Sequence, residues 1–138
     1  MPEQASDFSW PVRVYWEDTD AGGIVFYANY LKFFERARTE WLRSLGIEQR
    51  HLKETTGGMF VVAETSVHYL RPARLDDELI VTARMQQCGR ASMTIHQQIL
   101  LKNALICEGK IRVGWVDVAS LQPHRIPLTI IEILRVST

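Results

Sequence analysis

No stretch of this 138-residue chain approaches the ~18 consecutive apolar residues of a membrane span. No excess of charge of either sign is present: sixteen lysines and arginines face sixteen aspartates and glutamates. A net charge near zero supplies no global drive toward nucleic acid or an anionic membrane, and it places little repulsion between copies of the chain. Cysteine is scarce. Cys88 and Cys107 form no CxxC pair and have no histidine at metal-ligand spacing, so they read as reduced thiols of a cytoplasmic protein. The first ten residues, MPEQASDFSW, lack a basic stretch followed by an apolar one, so no signal peptide is expected. No GxSxG, HExxH, GxGxxG or Walker pattern occurs. The four histidines, His51, His68, His96 and His124, are scattered. Neither a metal site nor a serine-type triad has support, and no cofactor is expected.

What is present is a chain that suits one domain, spanning residues 1–138. With 46% hydrophobic residues it is apolar enough to fold, and at this length about 68–70% of the unfolded surface can be buried. Val12, Val14 and Trp16 alternate with Arg13, Tyr15 and Glu17, the pattern of a half-buried strand. From Ile24 to Leu45 the spacing turns helical. Phe26, Tyr30, Phe33, Phe34, Ala37, Trp41 and Leu45 form one stripe, with Gly46 as the stop. A short helical turn is expected over Gln49 to Glu54. Strands are then expected over Phe60–Leu70, Leu79–Gln86, Ser92–Leu101 and Leu105–Val116, joined by short turns that imply antiparallel neighbours. The segment from Pro127 to Leu134 fits either a short helix or a strand. The order implies an α+β domain in which an antiparallel sheet of about five strands wraps one long helix. Such a sheet leaves edges that need a partner.

The chemistry concentrates in Glu17-Asp18-Thr19-Asp20-Ala21-Gly22-Gly23. An acid just before a helix can attack a carbonyl or activate water, while unpaired N–H groups of the first turn hold the oxyanion. The plainer reading of either aspartate is a helix N-cap, and composition leaves both open. Gly22 and Gly23 read either as a tight turn or as room for a ligand against the backbone. Tyr27 and Tyr30 read as packing residues of the first turn. Arg71, Arg74 and Arg90 stand at expected strand ends, where they could meet phosphate groups or simply be solvated.

Several runs together resemble a known family. They are Trp10-Pro11-Val12-Arg13-Val14-Tyr15, the Glu17–Gly23 run, Asn29-Tyr30, Glu35-Arg36-Ala37-Arg38, Tyr69, and Pro72-Ala73-Arg74-Leu75-Asp76-Asp77. They look like the hotdog-fold acyl-CoA thioesterases, most closely the Tol–Pal-associated branch of the 4-hydroxybenzoyl-CoA thioesterase family. The likeness runs from about Trp10 to Pro127.

It implies a hotdog fold and homo-oligomers: dimers with a continuous sheet, often paired into tetramers, with active sites at the dimer interface. It implies an acyl-CoA substrate, with coenzyme A a product and not a cofactor. Carried over position by position, Asp20 is the catalytic acid and the Tyr27 backbone N–H polarises the thioester carbonyl. Asp18, Gly22, Gly23 and Tyr30 are supporting, and Ser92 lines the pantetheine path. Several relatives carry histidine where Tyr27 stands, a change to which a backbone donor is indifferent. The rival readings are a thioesterase acting on acyl carrier protein, a non-enzymatic acyl- or partner-binding module, and a dehydratase. The last has no histidine beside the acidic run to support it.

Overall fold

Period-two alternation of apolar side chains builds the sheet. In the computed structural model, which describes residues 7–137, five strands form one antiparallel sheet. They are β1 (Phe8–Arg13), β2 (Gly58–Tyr69), β3 (Glu78–Cys88), β4 (Ser92–Leu101) and β5 (Ala104–Asp117), in the order β1-β3-β4-β5-β2. Residues 1–6 and 138, including most of the stretch read for a signal peptide and both ends of the expected domain, lie outside the described residues. Three helices complete the fold: α1 (Asn29–Ser44), α2 (Gln49–Thr56) and α3 (Leu128–Val136). No helix among the described residues is long and apolar enough to cross a membrane.

Met93, Ile95, Gln97 and Ile99 of β4 point inward and are buried, as are Leu79, Val81, Ala83 and Met85 of β3. Phe33, Phe34, Ala37 and Trp41 of α1 lie against them. Full burial of a side chain such as Phe34 contributes about 1.5–3 kcal/mol. One polar residue sits in this core. Gln97 is 0% exposed. Its Nε2 donates to the carbonyls of Phe34 (3.0 Å) and Thr82 (3.1 Å), and its Oε1 accepts from Arg38 Nη1 (3.1 Å). The amide thereby ties α1 to β3 with its hydrogen bonds satisfied.

Two boundaries differ markedly from the sequence reading, and the open C-terminal alternative is decided. The first strand ends at Arg13, and Trp16 is not an inward strand residue: it is 77% exposed in a 3-10 turn, Trp16–Asp18. The Val14 N–H still donates to the Asp77 carbonyl in register with β1 and β3, but the next N–H, that of Tyr15, is taken by the Asp18 carboxylate, which turns the chain. The long helix begins at Asn29, not Ile24. Residues 24 and 25 are instead held extended by bridges Ile24↔Arg74 and Thr19↔Val25, and Phe26 is 48% exposed rather than part of the buried stripe. The C-terminal segment is helical, with Pro127 just ahead of α3 and Ile130, Ile131 and Leu134 on its buried face. Gly46 ends α1 as expected. It has φ +83°, its N–H donates to Arg43 O, and the Ile47 N–H donates to Leu42 O, the paired bonds of a Schellman stop.

Both cysteines are free. Burial, opposed by a weaker backbone hydrogen bond, pushes the Cys107 thiol up to about 12.

Gly58 opens β2 where backbone meets indole. A Cβ there would lie 2.3 Å from Trp115 Cζ2, in a ring that packs edge-on to Phe60 at 4.9 Å. Gly58→Ala must displace Trp115. It is expected to lower stability by about 1–3 kcal/mol, read as a drop in thermal midpoint; an unchanged midpoint would mean the indole has slack.

Candidate active site

The acidic run folds into two stacked turns whose carboxylates face different surroundings. Asp18 is 3% exposed. Its Oδ2 accepts the Tyr15 N–H at 2.8 Å and its Oδ1 accepts the Asn29 Nδ2–H at 2.7 Å. Its carbonyl accepts the Phe26 N–H at 3.0 Å. Asn29, itself buried, is the first residue of α1, so Asp18 ties the end of the turn to the start of the helix.

Asp20 is exposed. Its Oδ1 accepts the Gly22 N–H at 2.8 Å, its N–H donates to Ile24 O, and its carbonyl accepts the Gly23 N–H. Gly23 adopts φ +82°, a conformation glycine takes without strain. A Cβ on Gly22 would press to 3.2 Å from Asp20 Oδ1. The second glycine closes the turn, as the tight-turn reading expects, and the first leaves room beside the Asp20 carboxylate. Asp20 Oδ2 has no hydrogen-bond partner among the described residues.

Neither aspartate caps α1. The N-cap is Ala28, without a side-chain hydrogen bond, and no acid lies in the first turn. The Tyr27 amide, just before that cap, donates to nothing among the described residues. The 16-residue helix therefore starts without a side-chain cap, beside an open N–H.

The segment 70–77 roofs the site. The Val25 N–H donates to Ala73 O at 2.9 Å, and the Ala73 N–H donates to the Tyr30 hydroxyl at 3.0 Å. Burial, the largest influence, raises the Tyr30 phenol above its ordinary value, so it remains a neutral anchor. Tyr69 at the end of β2 packs against Tyr27 (6.2 Å, edge-on) and Tyr30 (5.6 Å), which leaves an aromatic wall beside the acid. Arg74 joins the acid loop through its backbone bridge to Ile24, while Arg71 lies exposed on the same segment.

Arg90 and Ser92 are not brought here. They occupy the β3–β4 turn, the other end of a hairpin about 35 Å long. There Arg90 joins Arg125 and Arg135 around a cavity of about 380 Å³ floored by Ile126, Pro127 and Ile131. Arg125 and Arg135 were not singled out from the sequence. They lie 35 and 45 positions beyond Arg90, and only the docking of α3 gathers them.

Among the described residues, no three His, Cys, Asp or Glu side chains converge to hold a metal ion. Among the described residues one histidine–carboxylate pair lies within hydrogen-bond distance, His96 Nε2 to Glu108 Oε2 at 2.6 Å. It lies on the outer face of β4 and β5, since its neighbours Ile95 and Gln97 point into the core. It therefore lends nothing to dehydratase chemistry at the acid loop. The acid loop itself offers a carboxylate with one free oxygen, an amide donor at a helix start, and a wall of tyrosines: a base or nucleophile paired with an oxyanion acceptor.

Comparison with known proteins agrees with this chemistry. The thioesterase superfamily matches residues 22–107. The chain is 41% identical to the acyl-CoA thioesterase YbgC of Haemophilus influenzae, over 87% of this chain and 88% of that one. It is 42% identical to the acyl-CoA thioester hydrolase YbgC of Escherichia coli O6:H1, over 90% and 92%. A crystal structure of a probable thioesterase from Bartonella henselae superposes with a TM-score of 0.83 at 31% identity, covering 88% of this chain and 99% of that one. The wrapped helix, the five-stranded antiparallel sheet and these matches together make the chain a hotdog-fold member of the thioesterase superfamily.

Proposed function

We propose that the protein hydrolyses acyl-CoA thioesters to a free acid and coenzyme A, with Asp20 as the catalytic carboxylate. The observation that carries this is the contrast between the two aspartates. Asp18 has both oxygens committed to the fold, whereas Asp20 is positioned through one oxygen and keeps the other for substrate. Asp20 has two routes, direct attack on the thioester carbon or removal of a proton from a water that attacks. Direct attack gives a tetrahedral oxyanion bonded to Asp20, and loss of thiolate leaves a mixed anhydride that water hydrolyses to the free acid. The water route gives a tetrahedral oxyanion bearing the new hydroxyl and collapses to the acid in one stage. In either, the oxyanion is received by the Tyr27 N–H and the positive end of α1. Both expel the same thiolate, which leaves readily without a strong acid. A donor of this kind is worth about 10²–10³ in turnover.

A second copy completes the site. β2 is an edge strand of twelve residues, and Val62 at its middle is 51% exposed. The turn bearing Arg90 lies at the Gly58 end of β2, because Gly58 pairs with Asp117 and Ser92 with Gly114. Tyr69, beside the acid loop, is the other end. Antiparallel pairing of two β2 edges sets the Arg90 end of one protomer against the Asp20 end of its partner. The arginines there suit the phosphates of coenzyme A, and Arg71 and Arg74 flank the entrance. Dimers of this kind, paired again into tetramers and working in a reducing cytoplasm beside the Tol–Pal system, are the physiological form. The donor is acyl-CoA rather than an acyl carrier protein thioester, a choice that free-thiol release from both substrates checks.

Asp20→Asn is expected to reduce turnover about 10²–10⁴-fold while leaving the thermal midpoint unmoved. Asp18→Asn should do the reverse in emphasis. It turns an acceptor of two N–H groups into a partial donor and should lose about 1–3 kcal/mol of stability, visible in a denaturant titration. An Asp20→Asn protein that hydrolyses acyl-CoA at the parent rate would remove Asp20 from the mechanism.

Sharing between protomers is checked by mixing two impaired chains, Asp20→Asn and Arg90→Glu. Hybrid dimers contain one site with both native residues, so activity should exceed that of either parent alone. No recovery in demonstrated hybrids would place the site within one chain.

A further inference from the structure

A second cavity lies along α1 from the acid loop. It occupies about 240 Å³ between the helix and the inner face of β2, β4 and β5. Phe60, Val62, Met93, Ile95 and Val113 form its apolar wall, and Glu35, Arg38 and Thr39 form the helix side. Its size, below the about 300–1,000 Å³ of a whole-ligand pocket, suits the end of a chain rather than an entire substrate.

The cavity exists because α1 packs mainly over β1 and β3, leaving the inner face of β2 open beside it. Tyr69, Val67, Thr65, Val62 and Phe60 share one face of β2 (the bulge between Val62 and Glu64 restores the alternation). They line a path from the tyrosines of the acid loop to the cavity.

The helix wall is polar in a particular way. Arg38 is half-buried, and burial pulls its guanidinium below its ordinary value against the opposing influence of the Glu35 charge. Its hydrogen bond goes to the neutral Gln97 Oε1, and no carboxylate among the described residues lies within salt-bridge distance. One protein acceptor, Gln97 Oε1, meets this guanidinium, and none of its N–H groups is both buried and unpartnered; those toward the cavity are available to an acceptor on a ligand. Glu35 stands on the same wall, positioned by the Thr39 hydroxyl donating to its Oε2 at 2.6 Å, with Gln49 Nε2 donating to Thr39 in turn. A donor and an acceptor of opposite charge facing an apolar slot disfavour a carboxylate end, which Glu35 repels. They favour a hydroxyl, which accepts from Arg38 and donates to Glu35.

We propose that this cavity receives the far end of the acyl group, and that Glu35 and Arg38 make it selective for medium-length acyl groups bearing a terminal hydroxyl. Arg38 lies nine residues beyond Asn29, about 14 Å along the helix, so a short acyl group does not reach it. The proposal rests on Asp20 as the reacting centre.

The experiment compares kcat/KM for ω-hydroxyoctanoyl-CoA, octanoyl-CoA and butyryl-CoA. The parent should prefer the hydroxylated chain over octanoyl about tenfold, the value of one well-made hydrogen bond. Glu35→Ala and Arg38→Met should each bring that ratio to about one while butyryl-CoA hydrolysis persists. Arg38→Met leaves Gln97 Oε1 without its donor and could unfold. Glu35 is exposed at the rim, so Glu35→Ala keeps the comparison available. A parent with no preference, or a folded Glu35→Ala protein with an unchanged ratio, overturns the proposal. Failure of the reacting centre would show separately, as butyryl-CoA hydrolysis that survives Asp20→Asn.

Discussion

The buried contact between Asp18 and Asn29 holds the functional end of the molecule together. A carboxylate out of water is costly unless its lone pairs are met, and here two N–H donors meet them at 2.8 and 2.7 Å. Because one donor is the backbone of the segment leaving β1 and the other is the first side chain of α1, the contact fixes the angle at which the helix follows the turn. The Phe26 N–H, bound to the Asp18 carbonyl, keeps the intervening residues extended. Tyr27 therefore arrives at the helix start with its amide facing outward rather than drawn into a helical ladder. Remove this contact and the acid, the amide and the helix end lose their common frame.

The neighbouring Asp20 shows the complementary arrangement, and two residues of separation account for the difference. Asp18 sits where the turn presses against α1; Asp20 sits at the apex, where Gly22 and Gly23 keep atoms away from it. Identical side chains acquire unlike tasks from burial alone. The roof is set with the same economy. Tyr30 leaves the helix to take the Ala73 N–H, which docks the 70–77 segment above the acid and brings Tyr69 against Tyr27. Catalytic preorganisation of this kind depends on a rigid surround, and these bonds run from the acid loop into the helix and the roof.

Much of this was legible in the chain. Strand β4 was read to the residue, because alternation from Ser92 to Leu101 is clean and tight turns bound it. The aromatic stripe located α1 and Gly46 its end, since a left-handed stop has a residue signature. The start of α1 was not legible: Phe26 falls on the helical period, yet bridges to residues 19 and 74 hold its neighbours extended, and those contacts are tertiary. Composition could not separate cap from catalyst at Asp18 and Asp20, because capping depends on which backbone N–H groups lie in reach. Gln97 and Arg38 were invisible as a pair for a related reason. Their meeting is between residues 59 apart, and nothing in the strand pattern marks one inward glutamine among isoleucines. The arginine cluster escaped notice because Arg90, Arg125 and Arg135 share no local pattern.

A net charge of zero conceals a segregation that bears on assembly. Glu17, Asp18 and Asp20, with Asp76, Asp77 and Glu78, lie at one end of the sheet; Arg90, Arg125 and Arg135 lie at the other. Within one chain the two groups are kept apart by the length of β3 and β4. Two copies joined antiparallel along β2, as proposed, would bring the basic end of each against the acidic end of the other, so the pairing that would cover the exposed edge would also be electrostatically complementary. A parallel pairing would set the arginine end of each copy against that of the other and leave Arg71 and Arg74 as the cations at the acid loop. The off-centre position of α1 fits the same arrangement. By crowding toward β1 it leaves the face near β2 free, and that free face is where a second helix, a second loop and the end of an acyl chain can all be accommodated. The open inner face of β2 and the cavity beside it thus both follow from one choice, the placement of the long helix away from the middle of its sheet.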